Sequence, residues 1–435
     1  MKVLVVGGGG REHALCWKLA ESPRLTRLYC APGNPGIAQV AERVPIAVEE
    51  ISRLADFAAE RKIDLTVVGP EVPLALGLAD ELAARGLAVF GPTRLAAELE
   101  GSKVFAKLFM ARHGIPTARF ALAETAEEAR AAAAAFGWPV VVKADGLAAG
   151  KGVFLPEDAA EFEQALAAIF AERRFGDAGS RVVIEEYLPG EEVSFMGLSD
   201  GERVLPLATA KDYKRIGDGD SGPNTGGMGC HSPSGALSAE QAREIVERVL
   251  QPTVAGMAAE GRRFVGVVYA GLMITPEGPR VLEFNARFGD PEAQVLMMRL
   301  KDDLLPVLAS GAAGRFDRER LEFRPEAAAA IVLASPGYPD RPQTGEPIRA
   351  LKRAEALPEV RIFHAGTAIR EAVSGQGSEL VSAGGRVLNV CALGADLSEA
   401  LGRAYAAVAP IDWPGKTYRR DIGRRVLSEA RFEGA

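Results

Sequence analysis

The chain has 435 residues, of which 48% are hydrophobic and 25% charged, and its formal net charge is −7. That length calls for two to four modules, and the acidic balance argues against nucleic acid or an anionic membrane as the main partner. Four scattered cysteines without a C-x-x-C pair exclude a zinc ribbon and a disulfide framework. The apolar run in "MKVLVVGGGG" is too short for a signal peptide, so a cytoplasmic protein without membrane segments is expected.

Residues 1–101 alternate short apolar runs with amphipathic helices. "VLVVGGGG" is a buried strand entering a glycine turn, "REHALCWKLAES" a helix, and "LTRLYCAPGN", "IDLTVVGPE" and "LAVFGPT" are further strands. This alternation predicts a parallel sheet covered on both faces, with ligands at the carboxyl ends of its strands. Those ends carry Gly7 to Arg11, Pro32 to Gly36 and Gly69 to Glu71.

The helix "GSKVFAKLFMARHGIP" ends at Gly114, and residues 121–188 read as a small α/β lid unit inserted in a core of residues 102–120 and 189–324. The lid helix "TAEEARAAAAAFG" opens with a capping box from Thr125 to Glu128 and stops at Gly137. Strands "WPVVVKA" and "GVFLP" flank "ADGLAAGKGV", Ala144 to Val153. A P-loop is excluded, because its glycine spacing is longer and a helix follows it. The stretch reads instead as a glycine flap at a hairpin tip.

Gly146, Gly150 and Gly152 would bring backbone N–H groups close to phosphate oxygens, with Lys151 adding charge. Lys143 on the preceding strand and Lys103 at a helix start can reach the same oxygens. A plain surface hairpin is the alternative. "IEEYLPGEE" reads as a hinge that can offer backbone groups to adenine and a carboxylate to ribose, or as a solvated acidic turn.

Turns at Asp200-Gly201 and Glu277-Gly278 predict two hairpins in an antiparallel sheet. Between them, "KDYKRIGDGDSGPNTGGMGCHSPSG" has no sustained period and reads as a long functional or disordered loop. Residues 325–435 form a β-rich cap with strands "AAAAIVLAS" and "VRIFHAGT", a strand pair "SELVS-AGG-RVLNVCALG" and the helix "DLSEALGRAYAAVAPI".

A dinucleotide fingerprint starting at Gly7 fails, because Glu12 stands where the third glycine belongs and the second strand lacks a ribose-binding acid. The turn is left as a phosphate site, made by the N–H groups of Gly9 and Gly10 with Arg11 as clamp, or as a tight packing turn. In "VLEFNARFGDPE", residues two apart share a strand face. Glu283 and Asn285 then point together as hard ligands for Mg²⁺ held with nucleotide phosphates, while Leu282 and Phe284 face the core. Arg287 continues that face if the strand runs on, suited to a carboxylate or a transferring phosphoryl group. Asp290 reads as the N-cap and Pro291 as the first residue of one helix, "EAQVLMMRLKDDLLPVLAS". His13, His113, His231 and His364 show no metal or triad spacing, and no nucleophile elbow is present.

Together, "GGGGREHAL", "APGNPG", "VGPEVPLALGLAD", "EGSKVFAK", "KADGLAAGKGV", "IEEYLPGEEVSF", "KDYKRIGDGDSGPNTGGMG", "EFNARFGDPE" and "GGRVLNVCALG" resemble the ATP-grasp superfamily, and within it the phosphoribosylamine–glycine ligase (glycinamide ribonucleotide synthetase) family, over nearly the whole chain. Gly8 departs from the asparagine common there. The resemblance implies a multidomain α/β fold with a preATP-grasp domain, an ATP-grasp core with mobile lid, and a carboxy-terminal domain. It implies ATP and Mg²⁺ (or Mn²⁺) as cofactors, glycine and 5-phosphoribosylamine as substrates, and a monomer or weak dimer.

On that basis Lys103, Lys143, Lys151 and the flap hold phosphates, with Lys143, Lys151 and Arg287 catalytic. Glu185, Glu186, Tyr187, Leu188 and Glu192 hold adenosine, and Glu283 and Asn285 the metal. Arg287 and Asp212 are candidates for glycine. Gly9, Gly10, Arg11, Glu12, Asn34, Gly36 and Glu71, with Asn224, Thr225, Gly226, Gly227 and Met228, are assigned to phosphoribosylamine. Another carboxylate–amine ligase or a carboxylase of purine metabolism is the alternative.

Overall fold

In this computed structural model, residues 1–146, 152–371 and 377–427 are described. The first module strings together β1 (Lys2–Gly7), α1 (Gly10–Ala20), β2 (Arg27–Pro32), β3 (Glu42–Arg43), α2 (Ile51–Arg61), β4 (Leu65–Val68), α3 (Glu71–Ala75), α4 (Leu78–Ala84), β5 (Val89–Phe90) and α5 (Arg94–Gly101). Its strands pair in parallel in the order β3-β2-β1-β4-β5. Val3 and Val5 pack toward α1, while Leu4 and Val6 pack toward α2 and α4. Both faces are therefore covered, which is why β1 reads as a continuous apolar run.

Next come α6 (Lys103–Arg112), β6 (Phe120–Ala123), α7 (Ala126–Phe136), β7 (Val140–Ala144), β8 (Val153–Phe154), α8 (Ala159–Leu166) and β9 (Val182–Glu186). The lid sheet runs β6-β9-β7-β8, and β7 pairs antiparallel with β8. The flap residues Gly150 and Lys151 lie outside the described residues. The core sheet, in the order β11-β10-β16-β17, joins β10 (Glu191–Asp200) and β11 (Val204–Pro206) to two strands supplied further along the chain.

The aperiodic segment is neither loop nor disorder. It forms β12 (Lys211–Asp212), β13 (Arg215–Gly217), β14 (Ser221–Asn224) and β15 (Gly229–Ser232). β13 and β14 make a small ribbon, while β12 and β15 enter the carboxy-terminal sheet. Strands this short fall below the window in which alternation can be read. Then follow α9 (Ala239–Ile245), α10 (Gln251–Ala259), β16 (Val265–Thr275), β17 (Gly278–Asn285), α11 (Glu292–Arg299) and α12 (Leu304–Ala312). α11 and α12 are two helices, not one. The chain leaves α11 to bond along residues 322–324, through Lys301 N–H to Glu322 O and Arg324 N–H to Arg299 O, and restarts on an Asp303 cap. Asp290 does not cap α11 either, since Pro291 holds that position.

The last module holds β18 (Ala327–Ala334), α13 (Leu351–Glu355), β19 (Val360–His364), β20 (Thr367–Glu371), β21 (Ser378–Ser382), β22 (Arg386–Gly394) and α14 (Leu397–Val408). Its sheet runs β12-β15-β18-β22-β19. β21 does not pair with β22 as the sequence suggested; it pairs with β20. Gly366 and Gly384 cross backbone to backbone, where a side chain would overlap, and this separates the ribbon from the sheet. Every residue of α11 is buried, with α1 on one side and the carboxy-terminal sheet on another, so this helix ties three modules together. Each buried Leu or Val there contributes about 1.5–3 kcal/mol.

Candidate active site

β17 carries the acidic face. Its ladder to β16 slips between Gly271–Glu283 and Leu272–Val281, leaving Leu282 unpaired in a bulge. Leu282 is accordingly half-buried rather than in the core, and its carbonyl accepts from Lys143 Nζ at 2.8 Å. Burial would raise the Glu283 carboxyl, but Lys214, Lys143 and Lys103 outweigh it and hold it at about 2. Lys214 Nζ stands 3.5 Å from Glu283 and 2.5 Å from Glu192.

α6 brings two more ammonium groups. Its Ser102 cap accepts from Phe105 N–H, and Lys103 Nζ donates to Gly146 O at 2.9 Å, at the mouth of the flap. One turn on, Lys107 donates to Thr117 Oγ1 at 2.6 Å and Glu185 Oε2 at 2.9 Å. Burial pulls Lys107 down to about 8 although Glu185 opposes the shift. Lys143 reaches the other Glu185 oxygen at 2.9 Å, off the hydrogen-bond axis, as an ion pair. Lys103, Lys107, Lys143 and Lys214 thus converge on Glu185, Glu192 and Glu283, and the wall is suited to polyanionic phosphate.

Glu185 is consumed by two lysines and Glu186 by Arg119, at 2.6 Å, so neither acid is free for a ribose. Beyond them Tyr187 is exposed and Leu188 half-buried, and the Tyr187–Leu188 backbone has no internal hydrogen-bond partner among the described residues. That leaves backbone donors and acceptors at the hinge. Among the described residues no group of three or more His, Cys, Asp or Glu could hold a metal alone. Glu283 and Asn285 supply two hard oxygens on one strand face, which fits a divalent cation that takes its remaining ligands from phosphates and water.

The opposite wall is built from arginines already committed to carboxylates. The Gly9 N–H donates to Glu12 Oε2 at 2.6 Å, and Arg11 Nε lies 2.6 Å from Glu12 Oε1. The Arg11 N–H faces Asp290 at 3.4 Å, and its guanidinium donates to Phe288 O at 3.0 Å. At the start of α1 the Gly9 and Arg11 N–H groups are therefore met by acids of the chain itself. Glu12 also fills the crevice between the ends of β1 and β4, where a side chain at Gly7 or Gly69 would overlap it. This is the switch point where a dinucleotide would sit.

Arg287 lies beyond β17, ion-paired to Glu71 at 3.2 Å and Glu100 at 3.0 Å, and donates to Asn285 Oδ1 at 3.2 Å. Burial would pull the guanidinium down, but the two acids outweigh it and keep it charged.

Asp212 stands between the walls. Its Oδ1 is buried with no hydrogen-bond partner, and burial followed by the field of Glu292 pushes its carboxyl well up. Glu292 is buried and accepts from Tyr269 OH at 2.5 Å and Ser194 Oγ at 3.0 Å. The loop beside them is clamped from the carboxy-terminal module. The Gly226 N–H donates to Tyr338 OH at 2.9 Å, and Arg386 Nη1 donates to Gly226 O at 2.5 Å and Asp290 O at 2.6 Å. Gly227 has φ +109°, and a side chain there would overlap Asp212 and Pro291.

Family models agree with this arrangement along the chain. The phosphoribosylglycinamide synthetase N domain matches residues 1–100, its ATP-grasp (A) domain 101–293 and its C domain 328–425. A curated phosphoribosylamine–glycine ligase from Rhizobium meliloti is 52% identical over 431 residues, covering 98% of this chain and 99% of the relative. The chain belongs to the phosphoribosylglycinamide synthetase family. The solved phosphoribosylamine–glycine ligase of Thermotoga maritima superposes with a TM-score of 0.83 at 36% identity, covering 97% of this chain and 100% of that one. A biotin carboxylase domain from Hydrogenobacter thermophilus, solved with MgADP, shares the fold at TM-score 0.72 and 17% identity, over 96% of this chain and 91% of that one.

In this chain the structure gathers Lys103, Lys143, Gly146, Glu185, Glu192, Glu283 and Asn285 on one wall, and Arg11, Glu12, Glu71 and Arg287 on the other. Other residues expected to contact substrate also pack within the chain. Asn34 is buried and bonded to Gly8 O, His364 O and Ile37 N–H, and a side chain at Gly36 would overlap His13 and His364. Gly10 meets Asn389 in the same way. Met228 is fully buried, and Asn224 and Thr225 pair with Arg215 and Lys214 along the ribbon. Gly152 sits at the start of the return strand, its carbonyl accepting from Ala144 N–H. Sequence reasoning missed Lys107, Lys214, Glu100, Glu292, Tyr338 and Arg386. Lys107 was within reach of it, one helical turn from Lys103 on α6.

Proposed function

We propose that this chain joins glycine to 5-phospho-β-D-ribosylamine, converting ATP to ADP and phosphate through glycyl phosphate. The observation that carries the reading is the Glu283–Asn285 strand face set among four lysines, in a chain whose whole length matches one ligase family. In the first step an oxygen of the glycine carboxylate attacks the γ-phosphorus and ADP leaves. In the second the sugar amine attacks the acyl carbon, and phosphate leaves with the glycine oxygen. Both partners in the first step are anionic, so the work lies in neutralising charge and aligning the attack.

Lys103 and Lys143, with the flap, hold the phosphates, and the open Tyr187–Leu188 backbone takes the adenine. Glu283 and Asn285 would hold Mg²⁺ or Mn²⁺, which supplies charge neutralisation between phosphate oxygens when bound. Arg287 is oriented by Glu71 and Glu100 toward the glycine carboxylate. Asp212, with its unpartnered oxygen, faces an amine. The cleft between Arg11, Gly226 and Gly227 takes the sugar phosphate. The reading includes a cytoplasmic setting, with which four buried free thiols agree. Phosphate release measured with each substrate omitted in turn tests it: release is expected only when ATP, divalent metal, glycine and phosphoribosylamine are all present. Turnover that ignores glycine or the amine would refute it.

A further inference from the structure

Asp212 and Lys214 face the cleft, but Tyr213 between them turns into the carboxy-terminal core. Its hydroxyl accepts from the Gly423 N–H at 3.0 Å, and its ring lies 5.2 Å beneath the Arg419 guanidinium. Arg419 is 1% exposed. It is held in a fork by Asp421, with both contacts at 2.8 Å, and its Nη1 lies 2.6 Å from Asp220 at the tip of the β13–β14 ribbon and 3.2 Å from Arg215 O.

Two backbone bonds close the seam, from Gly219 N–H to Asp421 and from Arg420 N–H to Asp218, each 2.8 Å. On the outer side, Tyr405 OH of α14 donates to Arg419 O at 3.0 Å. On the inner side, Tyr213 O accepts from Met228 N–H at 2.8 Å, and Lys214 O from Thr225 N–H at 2.7 Å. One buried cation thus touches the start of the segment that carries Asp212, Lys214, Gly226 and Gly227, at Tyr213 and Arg215, and its turn at Asp220. A buried arginine is tolerated only when its charge is paired. Here the pairing selects the ribbon tip. Lysine would lose both the fork and the planar face toward Tyr213.

We propose that Arg419 is a positioning residue of the ligase site, locking Tyr213 and the β13–β14 ribbon so that Asp212 and Lys214 meet Glu292 and Glu283 in a fixed geometry. This rests on the ligase reading above. Small misplacements of such groups cost up to about a hundredfold in rate.

Arg419→Lys and Asp220→Ala test it; Asp220 is a surface side chain, so its variant keeps the fold if the first does not. Each is expected to raise KM for glycine and phosphoribosylamine about tenfold. KM for ATP should rise less, because of the four lysines on its wall only Lys214 belongs to this segment, while Lys103, Lys107 and Lys143 come from α6 and β7. Hydrogen exchange should quicken at Thr225, Gly227 and Met228 and stay unchanged at Val5. Unaltered KM values and exchange in Asp220→Ala, or exchange that quickens evenly along the chain, overturn the proposal. A wild-type chain inactive with these substrates would remove the ligase reading but leave the exchange result to decide the positioning.

Discussion

The two walls of the cleft use their cations in opposite ways. On the β17 side, four lysines from three separate parts of the chain lean on three carboxylates, and their compact ammonium groups have donors to spare for a ligand. On the α1 side, Arg11, Arg287 and Arg386 are locked by Glu12, Glu71, Glu100, Asp290 and backbone carbonyls. The first wall gives charge to what arrives. The second holds geometry and is nearly neutral before anything binds. A reaction that brings a carboxylate against a triphosphate needs both, and dividing the labour spares the aligning groups from rearranging as charge moves.

The contrast breaks most sharply at Glu283. Glu283→Gln removes the one acid that three lysines face, and turnover is expected to fall about a thousandfold with the circular dichroism spectrum unchanged. Full activity would remove the metal assignment.

Glu100→Gln tests the second wall. It keeps an acceptor for the Ala286 N–H but frees one side of Arg287, so kcat should fall about tenfold while KM for ATP stays. A change confined to KM for ATP would mean that Arg287 belongs with the lysines.

Acid sharpens the comparison by sparing both walls. His13 is held at about 3, mainly by burial and then by His364, while burial holds His231 and His364 at about 4. All three are neutral in the fold, but the unfolded chain binds protons below about 6.5. Stability is therefore complete above that value and is lost as pH falls toward 4, by roughly 1.4 kcal/mol for each histidine at pH 5.5. Urea midpoints at pH 7.5 and 5.5 check this. Equal midpoints would mean that these imidazoles are not desolvated.

Local chemistry was legible, and distant partnership was not. Glu283 and Asn285 share a face because a strand has period two, and Thr125 caps α7 by its neighbours alone. The parallel sheet could be read because its central strands β1 and β4 are almost wholly apolar, whereas the edge strand β3 is only Glu42–Arg43. The acids that meet the Gly9 and Arg11 N–H groups of the α1 turn were not legible together, because Asp290 lies 279 residues further on. The bulge at Leu282 depends on pairing with β16, and the burial of α11 on every side erased the helical period that would have marked its ends. Arg287 looked free in sequence, because its anchor Glu71 lies 216 residues away.

On this reading the lysine wall delivers the γ-phosphoryl group of ATP to the carboxylate of glycine. Glycine labelled with ¹⁸O in both carboxylate oxygens tests it in one turnover. One labelled oxygen is expected in the inorganic phosphate and the other in the amide product. Phosphate without label would mean that water or the amine, not glycine, attacks ATP.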